Sequence, residues 1–203
     1  LSYNNYNDIF SALAISKSLP KNLGTVIVKH ANPCGVSIHK NNLRSYQLAL
    51  ACDPISAFGG IVSCNFKITK ALALEFNNIF VEVIIANGFD AKALIILKKK
   101  KNLRLINASN FSIKNFIGFN SANDTILTQS EDLKPFTIKD FIIVSKKKPN
   151  KYQLKNLIFA FNICRYVKSN AIVLAGHDAT VGIGSGQPSR LDSCQIAIDK
   201  MNK

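Results

Sequence analysis

Val26-Ile27-Val28-Lys29-His30-Ala31-Asn32-Pro33-Cys34-Gly35 is the stretch whose reading decides the fold. A short, apolar, β-branched run reads as a buried strand. It closes on a Lys-His pair, and Asn32 to Gly35 then supplies a bend, with Pro33 fixing φ and Gly35 permitting a tight turn. On a continuing strand Lys29 and His30 face opposite sides, so only a bent chain turns both toward one pocket. Ends of strands in α/β sheets are where ligands bind. Histidine titrates near neutrality and carries protons, and a neighbouring lysine stabilises negative charge and lowers the imidazole pKa. The same ten residues also read as a Lys and a His closing an ordinary strand.

Outward from this stretch, helices and strands alternate. A helix spans about Asn7 to Lys17, with Ile9, Phe10 and Leu13 on one face, after a turn-like Leu1 to Asn5. A second runs from about Asn42 to Cys52 and is broken by Asp53-Pro54. Ser56-Ala57-Phe58-Gly59-Gly60 leads into a strand, Ile61 to Cys64, and the two glycines permit a close backbone approach or a bulge. Thr69 caps a third helix to about Asn77. Phe80 to Ala86 is a buried strand carrying Glu82, an acid that is costly unless paired or bound to a ligand, or else sits at a solvent-facing strand end. A helix from Ala91 to Lys100 and a strand from Leu103 to Ile106 follow. The order argues a layered α/β fold with a mostly parallel sheet.

The pattern weakens from Asn107 to Asp132, where Phe116 to Phe119 and Thr125 to Thr128 read as short strands of an insert. Phe141 to Val144 reads as a strand, and Lys151 to Val167 as a long helix with Leu154, Leu157, Ile158 and Phe161 on one face. Ala171 to Ala175 is a strand, and Gly176-His177-Asp178 a turn. Val181 to Arg190 is glycine-rich but is neither a Walker loop nor GxGxxG; its glycines let the backbone pack against a flat ligand. Arg190, opening the last helix, stands where an anion is drawn, or is a plain surface arginine. Ser169-Asn170 either closes a turn or reaches a site.

Composition narrows the classes. A chain of 203 residues buries a sizeable core. It starts at Leu1 and ends at Lys203 within a helical pattern, so it reads as a piece of a longer protein. No apolar run reaches the roughly 18 residues of a membrane helix, and no signal peptide is visible. The five cysteines show no paired spacing and no CxxC, which fits reduced thiols in the cytoplasm and argues against a cysteine zinc site. The net charge of +14 owes much to Lys98–Lys101 and Lys146–Lys148 and is not interleaved with aromatics, so a nucleic-acid platform is not indicated.

Five blocks in order carry a resemblance: Lys29 to Gly35, Asp53 to Gly60, Phe80 to Ala86, Val167 to Asn170 and Gly182 to Arg190. Together they resemble the AICAR transformylase domain of the bifunctional purine biosynthesis family, which joins a formyltransferase to an IMP cyclohydrolase. The resemblance implies a three-layer α/β/α fold of two cytidine-deaminase-like units. The first covers 1–132 and the second, truncated, 133–203, with the cyclohydrolase domain outside this chain. It implies formyl transfer from 10-formyltetrahydrofolate to the 5-amino group of AICAR ribonucleotide, by a cytoplasmic homodimer with sites at its interface.

By resemblance His30 is the proton acceptor and Lys29 stabilises the transition state. The AICAR contacts fall on Asn5, His30, Gly59, Glu82 and Asn170, and the folate contacts on Arg190 and Leu191. Asn170 is also expected to donate to the tetrahedral oxyanion, because acyl transfer to a weak, delocalised amine needs both a base and an oxyanion donor. No metal is expected; a monovalent cation near the Asn170 loop is compatible with the pattern and not fixed by it. Family segments reading Arg-Tyr-Gly and Ser-Asp-Ala-Phe-Phe-Pro-Phe are absent, so the chain by itself is expected to be inactive. Three rival readings are a non-catalytic remnant, a zinc-dependent deaminase, whose H-x-E and PCxxC signatures are missing, and a nucleic-acid binder with strongly salt-dependent binding.

Overall fold

The structure, a computed structural model, describes residues 1–112, 117–130, 132, 134 and 136–202. Phe116, the start of one expected strand, and residue 133, the expected unit boundary, lie outside the described residues.

Helix α1 (Tyr3–Ser18) begins four residues earlier than its apolar pattern suggests. Ser2 and Asn5 form a reciprocal capping box, with Asn5 in the place usually taken by Glu or Gln. Its buried stripe is Asp8, Ile9, Ala12, Leu13, Ile15 and Ser16, and Phe10 is exposed. Strands β1 (Gly24–Lys29) and β2 (Asn32–Ile38) form an antiparallel hairpin in which Lys29 pairs with Asn32. The bend is therefore His30-Ala31, with φ of 55° and 59°, and not Asn32 to Gly35 as expected. Two left-handed residues give a two-residue loop the twist its strands need. Pro33 and Gly35 belong to β2, where a register shift opposite Ile27/Val28 absorbs the proline.

Helices α2 (Asn42–Cys52) and α3 (Pro54–Ala57), strand β3 (Gly60–Cys64), helix α4 (Lys70–Glu75), strand β4 (Val81–Ala86), helix α5 (Ala91–Leu97) and strand β5 (Arg104–Asn107) follow. Strands β6 (Ile117–Ala122) and β7 (Thr125–Ser130) make a separate two-stranded sheet. After a 3-10 turn at Ile138–Asp140 come helix α6 (Lys151–Cys164), strands β8 (Ile172–Gly176) and β9 (Ala179–Gly184), and helix α7 (Arg190–Met201).

The main sheet has seven strands in the order β5-β4-β3-β1-β2-β9-β8. Only β3, β4 and β5 are mutually parallel; every other pairing is antiparallel, so the sheet is mixed rather than mostly parallel. Two tight hairpins cause this, since a two-residue loop can only reverse the chain. Strand residues alternate between two cores. Val26, Val28, Ile61, Val83 and Ile85 meet α1 and α6 on one face; Ile27, Val62 and Ile84 meet α2, α4 and α5 on the other. Helix α7 shares that second face, where Lys200 pairs with Asp53 at the end of α2. The result is a three-layer α/β/α fold.

Helix–hairpin–helix order occurs twice. The run α1-β1-β2-α2 is matched by α6-β8-β9-α7, and the two hairpins meet where β2 and β9 pair antiparallel through Ser37 and Ala179. The second hairpin turns on His177 and Asp178 with φ of 55° and 59°, the values of the first. Residues 24–107 and 172–184 thus contribute to one continuous sheet.

Three other expectations change. Phe141–Val144 forms no strand: it joins no ladder among the described residues, and Ile142 and Val144 are 87% and 92% exposed. The buried face of α6 is Asn156, Phe159, Ala160 and Ile163, whereas Leu157 and Phe161 are exposed. The alternating glycines serve a helix rather than a flat ligand. A Cβ on Gly182 would lie 2.0 Å from the Ala197 carbonyl oxygen, and one on Gly184 1.8 Å from that of Ser193, so bare backbone is what lets α7 seat on β9. Gly35 plays the same part for α2, at 1.8 Å from the Ala49 oxygen.

Candidate functional site

One end of the sheet gathers the candidate residues. It is formed by the C-terminal ends of β1 and β9 and the N-terminal ends of β2, β3, β4 and β8, as their pairing dictates. The parallel trio is thus entered from its N-terminal side, unlike the usual α/β crevice.

Lys29, half-buried at the last position of β1, donates from Nζ to the Phe58 carbonyl oxygen at 2.6 Å. Gly59 follows with φ of 72°, its N–H bound to the Phe80 oxygen at 2.9 Å. A Cβ there would fall 3.7 Å from Lys29 Nζ and from the Phe80 ring, so the glycine serves both its left-handed backbone and the space beside the ammonium. The Phe58 and Phe80 rings pack at 5.5 Å, walling this side.

His30 is exposed at the tip of the hairpin, and its imidazole makes no hydrogen bond among the described residues. Its backbone is fixed from below. Asp8, on the buried face of α1, accepts from the His30 N–H at 3.1 Å and from the Ala31 N–H at 2.6 Å. Asn32 extends the anchoring: its Nδ2 donates to the His30 oxygen, and its Oδ1 accepts from the Lys168 N–H at 3.0 Å, tying the first hairpin to the α6–β8 junction.

Glu82, the second residue of β4, is half-buried and not fully enclosed, and Asn5 Nδ2 donates to its Oε2 at 2.7 Å. The amide of Asn5 thus serves two partners, since its Oδ1 closes the cap of α1. Asn170 lies beyond the Ser169–Asn170 peptide, which is cis. Its Nδ2 donates to the oxygens of Gln187 and Pro188 at 2.9 and 2.8 Å, and its N–H to Gln187 at 3.0 Å. Both amide protons are consumed, so the atom Asn170 offers is the acceptor Oδ1, not the oxyanion donor expected from sequence. Arg190 and Leu191 open α7 at the same end, both exposed, Leu191 at 81%.

Cys34, one residue beyond Pro33, is buried; burial, with Asp53 nearby, pushes its thiol up to about 12. It stays protonated at neutral pH and is no nucleophile. The described residues hold no group of three or more His, Cys, Asp or Glu suited to a metal ion, and none of their helices is long and apolar enough to cross a membrane. All five cysteines are free.

Sequence reasoning passed over Asp8, Asn32 and the Phe58 carbonyl. Asp8 did leave a signal: it is an acid at i, i+4, i+7 spacing with Ala12 and Ile15, on the apolar stripe of α1. The carbonyl left none, since only the folded loop aims it.

A model of the family described as AICARFT/IMPCHase bienzyme matches residues 1–200. The chain is 43% identical over 211 residues to the bifunctional purine biosynthesis protein PurH of Rhodospirillum rubrum, covering 100% of this chain and 39% of that one. It is 40% identical over 204 residues to PurH of Magnetococcus marinus (98% and 38%) and 41% identical over 204 residues to PurH of Leptospira biflexa strain Patoc 1 (100% and 40%). The chain therefore spans between 38% and 40% of the length of these relatives. A match along nearly the whole chain, to relatives whose sequence it shares at two positions in five, makes it a member of the AICARFT/IMPCHase bienzyme family.

Proposed function

We propose that this chain carries the formyl-transfer part of purine biosynthesis: transfer of the formyl group of 10-formyltetrahydrofolate to the 5-amino group of AICAR ribonucleotide. The observation that carries the reading is the convergence of Lys29, His30, Gly59, the Asn5–Glu82 pair and Asn170 on one end of the sheet from five separate segments.

The amine of an aminoimidazole is a weak nucleophile because its lone pair is delocalised. As its nitrogen attacks the formyl carbon, His30 takes the amine proton. The Lys29 ammonium, steered by the Phe58 carbonyl, faces the oxyanion of the tetrahedral intermediate. Breakage of the bond from carbon to N10 then releases tetrahydrofolate, and the proton held by His30 goes to N10. Glu82 and Asn5 suit the hydroxyls or exocyclic amide of the ribonucleotide, Asn170 Oδ1 an N–H of the same molecule, and Arg190 the acidic end of the folate, with Leu191 against its apolar part. Holding two large substrates in register supplies much of the rate.

The repeated helix–hairpin–helix order supports two cytidine-deaminase-like units, 1–132 and 133–203, and the family resemblance supports a cytoplasmic homodimer. The test is transfer by the complete polypeptide for wild type and His30→Ala. We expect a loss of about 100-fold or more in kcat. Activity retained by His30→Ala would place the base elsewhere, and an inactive wild type would favour a non-catalytic remnant.

A further inference from the structure

We propose that Asp8 is the positioning residue of this site: its carboxylate clamps the left-handed His30-Ala31 turn and so aims the His30 imidazole. The proposal rests on the formyl-transfer reading for the reaction, and on geometry of its own for the role.

Neither His30 nor Ala31 favours positive φ, yet they adopt 55° and 59°. The twist of the flanking strands favours that conformation, and helix α1 adds a second hold on it. Asp8 takes both N–H groups of the turn, one on each oxygen, at 3.1 and 2.6 Å. Hydrogen bonds to an ionised acceptor are the stronger kind, and Asp8 is only 9% exposed, so water competes little.

The second copy of the motif provides an internal control. Its turn, His177-Asp178, has the same φ values, and the residue in the place of Asp8, sixth along its helix, is Asn156. Among the described residues Asn156 Oδ1 accepts only from the Asp178 N–H, at 3.1 Å, and the His177 N–H goes to the hydroxyl of Tyr152 at 2.7 Å. Two neutral side chains hold the turn at one end of the sheet. At the end where the other candidate residues gather, one buried carboxylate does the work of both. An amide cannot replace it there, since Nδ2 would confront one of the two N–H groups.

The test combines four variants of the complete polypeptide. Asp8→Asn should lower kcat about 10- to 100-fold, as a misaimed general base does. KM for AICAR ribonucleotide should stay within about threefold, because the contacts of Glu82 and Asn170 are untouched. The double variant Asp8→Asn/His30→Ala should be no slower than His30→Ala, since Asp8 acts through His30. Ala31→Gly placed on Asp8→Asn should recover part of the lost kcat, because glycine adopts the turn unaided. Amide exchange at His30 and Ala31 should quicken in Asp8→Asn and not in wild type.

Full activity in Asp8→Asn, losses that add in the double variant, or no recovery with Ala31→Gly would each overturn the role. An inactive wild type would instead overturn the formyl-transfer reading, and a His30→Ala variant that keeps its activity would place the base elsewhere and overturn the role of Asp8 with it. Either outcome differs from a dead His30→Ala beside a fully active Asp8→Asn.

Discussion

Glycines with the same chemistry do unlike jobs in this chain. A Cβ on Gly184 would meet the Ser193 oxygen at 1.8 Å and its carbonyl carbon at 2.7 Å, and neither belongs to a side chain that can turn away. Gly186 has open space around its Cβ direction but a φ of 70°. Gly184→Ala should therefore cost about 3 kcal/mol by forcing α7 off β9. Gly186→Ala should cost only about 1 kcal/mol of left-handed strain. Midpoints of urea unfolding at unchanged slope measure both; equal costs would contradict the close packing of α7. Both residues sit in one glycine-rich run, and spacing alone could not tell packing from turn. The same holds at the first hairpin. The sequence marks Pro33 and Gly35 as turn formers, while the turn is made by His30 and Ala31, which no propensity favours there.

Among elements, the joint between α1 and the sheet depends on Asn65, just past β3 and 4% exposed. Its Oδ1 accepts from the Gly24 N–H at 2.8 Å. Its Nδ2 reaches the oxygens of Ser16, Leu19 and Pro20 at 3.0, 3.3 and 2.9 Å, satisfying carbonyls that the end of α1 leaves open. Asn65→Leu keeps the volume and strands these groups. The expected loss is about 3 kcal/mol, or a fall in Tm of about 6 to 12 °C. A change under about 2 °C in calorimetry would contradict this accounting. Strand positions were legible from apolar runs because β1, β3 and β4 are buried on both faces. Phe141–Val144 shows the limit of that signal: the run is apolar, yet it joins no ladder among the described residues.

Across the whole molecule, the two halves are pinned by an ion pair as well as by the sheet. Asp53, 7% exposed, caps α3 through the Ser56 N–H and meets Lys200 of α7 at 2.7 Å. Burial alone would raise its carboxyl, but the ammonium of Lys200 beside it and the hydrogen bond from Ser56 outweigh it and hold the pKa below the usual carboxylate value. A depressed native pKa stabilises the fold above the unfolded value, near pH 4, and that contribution fades as pH falls through the lower native value. The stability difference between wild type and Asp53→Asn should be constant above about pH 5 and shrink steadily below it. A difference independent of pH down to about 2.5 would show that the pair contributes no linked stability.

The sequence by itself determined the α/β class, the order of most helices and strands, and the family blocks that mark Lys29, His30, Glu82 and Asn170. These follow from local pattern: apolar periodicity, capping residues and short motifs act over a few positions. Tertiary structure alone decided the mixed sheet, the doubled helix–hairpin–helix, the use of glycines as seats for α2 and α7, the Asp8 clamp, and the turning of the Asn170 amide protons away from the open site. Each depends on atoms far apart in the chain. Asp8 is 22 residues from His30, and Asn32 is 136 from Lys168. No local preference encodes such distances; they are fixed when two helix-capped hairpins bury their apolar faces in one sheet.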